Sequence, residues 1–206
     1  MTWGHTVVYP ELRGRRVVLR PLVASDFDAW REVRTRSRDW LVKWEQRPIP
    51  GQPDPAVDKR AWVARCNARM RERELGTGYG FGIFVGGRFV GEINISSVQR
   101  GPFQTAYVGY WIDEAMAGNG YVPEAFVVVA RFAFEELMLH RLQVSIIPRN
   151  RPSNRVAEKL GLRNEGIAMR YLEINGVWED HVRYAITSED WAEKREQYLK
   201  EWVLPA

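Results

Sequence analysis

The stretch Ala117-Gly118-Asn119-Gly120-Tyr121-Val122-Pro123-Glu124-Ala125 constrains this chain more than any other. Before it, residues 106–112 are aromatic and β-branched and predict a strand. After it, Phe126, Val129, Phe132, Ala133 and Leu137 recur at helical spacing as far as Met138. A strand therefore runs into two glycines, and a helix begins. Glycine there can take a positive φ and let the backbone close on a ligand. The first amides of the helix lack internal acceptors and carry the positive end of its dipole, which suits a phosphate. The same pattern also suits a plain strand-to-helix turn. Gly-x-x-x-x-Gly-Lys-Ser/Thr does not occur, and residues 118–123 lack the third glycine of the dinucleotide fingerprint.

The rest of the chain narrows the class. A length of 206 residues predicts one domain, 1–206, with a core of about 15–187 and a helical tail over 188–206. No apolar run spans a membrane, since Arg131, Glu135 and Glu136 interrupt the most apolar segment. The start, Met1 to His5, has no leader pattern, and a single cysteine, Cys66, excludes an internal disulfide framework. Both fit a cytoplasmic protein without membrane partners. The net charge of +4 carries no nucleic-acid motif with it, so direct nucleic-acid binding is not expected. Nine tryptophans are enough for several to line a cleft or an interface, and a homodimer is compatible with them.

Residues 16–21 predict the first strand, ended by Pro21. Ser25 as N-cap and Asp28 three residues on predict a helix to about Ser37. A proline-broken segment with Trp40, Leu41 and Trp44 follows, suited to a cleft wall or a surface crossover. Asp54-Pro55 predicts the start of a second helix, with Trp62, Cys66 and Met70 on its inner face. Cys66 is then a small core residue. Hairpins are predicted over 79–95, turning at Gly86-Gly87, and over 165–186, turning at Asn175-Gly176. Between them lie the strand 104–113, the glycine turn and long helix, the strand 141–147, and a short helix with Pro152 in its first turn. Residues 189–202 read as a surface helix. The order β-α-α-β-β-β-α-β-α-β-β, plus the C-terminal helix, predicts an α+β fold, with a mixed, mostly antiparallel sheet of about seven strands covered by helices.

That order resembles the GCN5-related N-acetyltransferases (GNAT), and within them the RimJ/RimL ribosomal-protein-alanine N-acetyltransferase branch. The resemblance runs from residues 16–21 to residues 175–181. It is carried especially by Phe134-Glu135-Glu136-Leu137, Leu139-His140-Arg141-Leu142 and the run 150–162, Asn-Arg-Pro-Ser-Asn-Arg-Val-Ala-Glu-Lys-Leu-Gly-Leu. The family turn is Gln/Arg-x-x-Gly-x-Gly/Ala; Gly118 and Gly120 match it, while Ala115 stands at the leading position. The resemblance implies acetyl-CoA as co-substrate, its pyrophosphate on the amides of Met116, Ala117, Gly118, Asn119, Gly120 and Tyr121. Trp111 and Ile112 would lie beside the acetyl group and pantetheine arm. Asn150 would contact that arm, and Ser153 would protonate the departing thiolate; both also suit helix capping.

Acetyl transfer to an amine needs the amine neutral, donors for the developing oxyanion, and two substrates held in place. A strand edge at Trp111 or Ile112 offers the donors. Glu173 and Glu92 are the base candidates: Glu173 lies near the branch's glutamate position, and Glu92 sits in an apolar strand where burial would raise its pKa. Either also reads as a solvated carboxylate. His181 is a further candidate, and His140 is expected to cap the long helix; the three histidines make no metal-ligand set. The expected reaction is acetyl transfer from acetyl-CoA to a primary amine, preferably a protein N-terminus, for which a ribosomal protein is a candidate. A small-molecule amine acceptor, or a catalytically silent CoA-binding regulatory protein, remain the alternatives.

Overall fold

The computed structural model describes residues 11–204. The leader reading of Met1 to His5 lies outside the described residues. No helix among them is long and apolar enough to cross a membrane.

Among the described residues one sheet of eight strands organises the fold, in the order β1-β2-β3-β4-β5-β6-β8-β7. The strands are β1 Leu12–Arg13, β2 Val17–Arg20, β3 Tyr79–Val85, β4 Arg88–Gln99, β5 Thr105–Ile112, β6 Arg141–Ile146, β7 Arg163–Ile174 and β8 Val177–Thr187. The strand beyond the expected seven is β1, whose two residues are too short to leave a periodic signal. Every neighbouring pair is antiparallel except β5 with β6. The Asn175-Gly176 turn between β7 and β8 has φ of 45° and 86°, the left-handed pair that a type I′ turn requires.

Side chains alternate across the sheet and feed two apolar layers. Val17, Leu19, Phe81, Ile83, Ile93 and Ile95 face a large core around α4 (Tyr121–Arg131). Phe84 and Phe89 face a smaller cluster with Phe27, Trp30 and Val33 of α1 (Phe27–Arg36) and Trp62 and Cys66 of α3 (Lys59–Glu74). α4 is buried on nearly every side because strands pack beneath it, while α5 (Arg151–Lys159) and the C-terminal segment cover it. It runs on into a π turn over Phe132–Glu136.

Several helix boundaries differ from the sequence expectation. α1 begins at Phe27, after a 3-10 turn over Ala24–Asp26, rather than from a Ser25 cap. Asp26 reaches back to the Val23 amide (2.8 Å) and pairs with Arg20 (2.7 Å), which leaves Ser25 no capping role. Arg38–Leu41 adds a one-turn helix, α2. α3 starts at Lys59: Asp58 caps it by accepting from Arg60 N (2.7 Å), while Asp54 only closes a turn onto Ala56 N (2.8 Å). Met70 is exposed, because each four-residue step turns a helix by about 40° and two steps carry Met70 off the Trp62 face. Cys66 is buried, and burial pushes its thiol pKa up to about 11. The tail is no surface helix. In α6 (Ser188–Tyr198) and the π turn Leu199–Val203, the residues Trp191, Tyr198, Leu199 and Trp202 form a buried stripe. His140 does not cap the long helix; its Nε2 meets Glu189 (3.1 Å), and its amide donates to Gln104 O (2.7 Å).

Candidate active site

The site begins where two parallel strands part. β5 and β6 pair only at Thr105–Arg141, Ala106–Leu142 and Tyr107–Gln143. Beyond Tyr107, β5 continues to Ile112 with β4 on one side and, among the described residues, no strand on the other. An unpaired strand edge inside a protein leaves donors and acceptors that need partners. Their direction follows from the ladder. The Asp113 amide donates to Val90 O (2.7 Å), and a Cβ added to Gly91 would run into the Trp111 carbonyl oxygen. Residues 111 and 113 therefore turn their polar groups to β4, and by alternation Tyr110 and Ile112 turn theirs into the wedge. Ile112 is thus the strand-edge donor of the pair named from the sequence, while Trp111 contributes its ring.

A cleft of about 760 Å³ fills this wedge. Trp111, Ile112, Met116, Ala117, Gly118, Gly120, Tyr121, Asn150 and Ser153 all line it. Gly118 and Gly120 hold φ of 81° and 80°, where a side chain is strained. A Cβ on Gly118 would meet nothing within 4 Å, whereas one on Gly120 would lie 3.3 Å from the Arg16 guanidinium. No backbone acceptor among the described residues takes the amides from Gly118 to Val122, and Pro123 has no N–H. The amides of Met116 and Ala117, by contrast, are already committed to Asp113 O (2.9 Å) and Glu114 O (3.1 Å) in the preceding turn, so they do not join the set the resemblance implied. The acid of the first helical turn is directed elsewhere. Glu124, 1% exposed, accepts from the Arg16 amide, from Val17 N (2.8 Å) and from Arg16 Nε (2.9 Å), bolting α4 to β2. Asn119 does not line the cleft. Its side-chain amide donates to the carbonyls of Met116 (3.2 Å) and Ala117 (3.3 Å), and its own carbonyl accepts from Arg16 Nη1 (3.0 Å). The sequence offered no signal for Arg16, which lies far from the loop it fixes.

α5 forms the next wall. Asn150 Oδ1 caps it by accepting from the Ser153 amide (3.3 Å), as the capping reading expected. The Ser153 hydroxyl forms no hydrogen bond among the described residues, and the Ser153 carbonyl accepts from Tyr110 Oη (3.3 Å). Burial raises the Tyr110 pKa, so its hydroxyl stays protonated. Arg155 and Lys159 line the cleft with no acidic partner among the described residues. Ala115 is exposed on the 3-10 turn Glu114–Met116 and does not line the cleft.

The remaining wall comes from the α1 side of the sheet: Trp40, Leu41, Trp44, Glu45 and Asn94. Asp113 ties this wall to the glycine loop. It is 1% exposed, pairs with Arg36, and accepts from Ser37 Oγ (2.9 Å). Burial pushes its carboxyl up, but the bonds from Arg36 and Ser37 outweigh burial and hold it below its ordinary value.

The two base candidates do not line the cleft. Glu92 is 2% exposed and receives Trp30 Nε1 (2.6 Å) and Arg65 Nη2 (2.5 Å), under the α1–α3 layer. Glu173 lies on the β7–β8 hairpin and pairs with Arg47 (2.8 Å). His181 is buried, its Nδ1 on the Glu179 carbonyl (2.9 Å). No group of three His, Cys, Asp or Glu residues able to hold a metal occurs among the described residues.

Comparison with known proteins gives the arrangement its relatives. Residues 16–163 match the model of the acetyltransferase (GNAT) domain. The probable N-acetyltransferase YjcK of Bacillus subtilis is 36% identical, over 87% of this chain and 98% of that protein. The [ribosomal protein uS5]-alanine N-acetyltransferase of Escherichia coli is 32% identical, over 87% of this chain and 92% of that protein. Among solved structures, Mycobacterium smegmatis RimJ in complex with CoA-disulfide superposes with a TM-score of 0.83. It is 32% identical and covers 94% of this chain and 93% of its own.

Proposed function

The chain belongs to the GNAT acetyltransferase family and is an acetyl-CoA-dependent N-acetyltransferase; on that premise we propose that it acetylates the α-amine at a protein N-terminus, of the ribosomal-protein-alanine type. The observation that carries this reading is the wedge between β5 and β6. One cleft is lined from both sides of the sheet: by the glycine turn and α5, and by the Trp40–Glu45 wall. Two substrates can meet there from opposite sides, which is what direct transfer in a ternary complex requires. The named relatives support a protein acceptor: one acts on ribosomal protein uS5 at alanine.

The residues fit the co-substrate. The free amides from Gly118 to Tyr121, at the positive end of α4, suit a pyrophosphate, with Met116 and Ala117 leading into the turn. Arg155 and Lys159 supply positive charge that Ala115 does not. When bound, acetyl-CoA supplies an activated acyl group. Trp111 and Asn150 flank the space for its arm, and the Ile112 amide faces the wedge as an oxyanion donor. Ser153 keeps an uncommitted hydroxyl there as a proton donor for the leaving sulfur. Glu92 and Glu173 would act in proton removal only through intervening water, since neither lines the cleft. The test is mass analysis of products from acetyl-CoA with Ala- and Ser-starting peptides against small amines. Acetylation of the peptide α-amine is expected. Turnover of small amines alone would assign the enzyme to them, and CoA binding without turnover would mark a regulatory protein.

A further inference from the structure

The cleft has one acidic side chain among the described residues, Glu45, on the wall away from the glycine turn. Everything else charged on its surface is positive: Arg155 and Lys159 on α5. A lone carboxylate in a cleft that must hold an anionic nucleotide needs a reason, and a cationic ligand is one.

The carboxylate is held in place. Arg34 donates to both of its oxygens, at 2.6 and 2.8 Å, and lies over the rings of Trp111 (5.0 Å) and Trp30 (5.8 Å). The Glu45 amide donates to Val42 O (3.4 Å), and its carbonyl accepts from Asn175 N (2.8 Å) on the β7–β8 turn. Backbone and side chain are therefore fixed by three separate parts of the fold. The pairing does not exhaust the group. A carboxylate offers about four acceptor positions, Arg34 uses two, and the side chain remains 35% exposed. Through Arg34, the carboxylate sits beside Trp111, at the end of the unpaired strand edge.

We propose that Glu45 is the group that binds the acceptor's ammonium, with Trp40 and Trp44 forming the apolar walls around the first side chain. This rests on the N-acetyltransferase reading, but it requires only an amine acceptor, whether protein or small molecule. The cleft is then divided by charge, with free amides and α5 cations for the nucleotide at one end and Glu45 for the amine at the other. An ammonium–carboxylate hydrogen bond of this kind corresponds to roughly ten- to hundredfold in affinity.

Calorimetric titration of the CoA-saturated protein tests it, with three probes: an Ala-starting peptide, its N-acetylated form, and butylamine. The wild type is expected to bind the free-amine peptide at least about tenfold more tightly than the acetylated one. Glu45→Gln should erase that preference and leave acetyl-CoA affinity within about twofold, while Glu45→Asp retains part of it. A free-amine preference that survives in Glu45→Gln overturns the proposal. So does an equal loss of acetyl-CoA and peptide affinity, which would mark a structural ion pair. If neither peptide binds but butylamine does so in a Glu45-dependent way, the protein N-terminus reading falls and the amine anchor stands. If no amine distinguishes the wild type from Glu45→Gln, the anchor itself falls.

Discussion

The two walls of the cleft are built on opposite principles. The wall at the start of α4 offers backbone: two left-handed glycines and a run of amides with no acceptor among the described residues. Its side chains work behind the surface, with Glu124 and Arg16 joining α4, β2 and the loop. The wall at Trp40–Glu45 offers side chains, with backbone behind them, pinned by the Asn175 amide. On the proposed function, the backbone donors meet what every acyl-CoA shares and the side chains of the Trp40–Glu45 wall meet the acceptor. That division would let the acceptor wall change without disturbing the glycine turn.

The glycine-turn wall depends most on Glu124. Glu124→Ala strands the buried amide of Val17 and the half-buried one of Arg16, and a loss of about 3 kcal/mol in denaturant stability is expected. Acetyl-CoA affinity should fall with it, since the loop loses its anchor; unchanged stability would show that Glu124 does not bolt the cradle. Gly118→Glu sets a negative charge among the free amides at a strained φ of 81°. Acetyl-CoA affinity should drop about a hundredfold, or ~2.7 kcal/mol, by calorimetry, and retained tight binding would remove the phosphate assignment.

Asp113 joins the walls, and its titration reports on that joint. Its carboxyl is held below the ordinary value of 3.8, so the unfolded chain binds the proton more readily. Its contribution is complete above the unfolded value and lost as pH falls through the lower folded one. Asp113→Asn should therefore flatten the decline of Tm below about pH 4; an unaltered acid limb would contradict the Arg36–Asp113 tie. Glu173→Ala gives the smallest effect. Its pair with Arg47 is exposed, so stability should change by less than about 1 kcal/mol. Acetyl-CoA affinity should not move, and a large fall in it would return Glu173 to the cleft.

The glycine turn, the strand before it and the capped helix at Asn150 were legible because each depends on neighbours within a few residues. The same locality misled elsewhere. Asp54-Pro55 carries a helix-start signal, but Asp58 makes the cap. Ser25 and Asp28 match a capping pattern, but α1 follows a 3-10 turn in which Asp26 accepts from the Val23 amide and pairs with Arg20. Residues 189–202 looked polar enough for a surface helix, yet Trp191, Tyr198 and Trp202 bury one stripe of it. Glu92 looked like a lone carboxylate in an apolar strand because its partners, Trp30 and Arg65, are distant in sequence.

The family, seven of the eight described strands, the long helices and the glycine turn follow from the amino-acid sequence alone, because hydrophobic period and turn chemistry are local properties. Only the tertiary structure decided that β5 and β6 part after Tyr107, that Glu124 faces β2 rather than the amides beside it, and that Glu45 rather than Glu92 or Glu173 enters the cleft. Those outcomes depend on which distant strand, arginine or turn occupies each neighbouring space, and pairings across the fold leave no periodic trace along the chain.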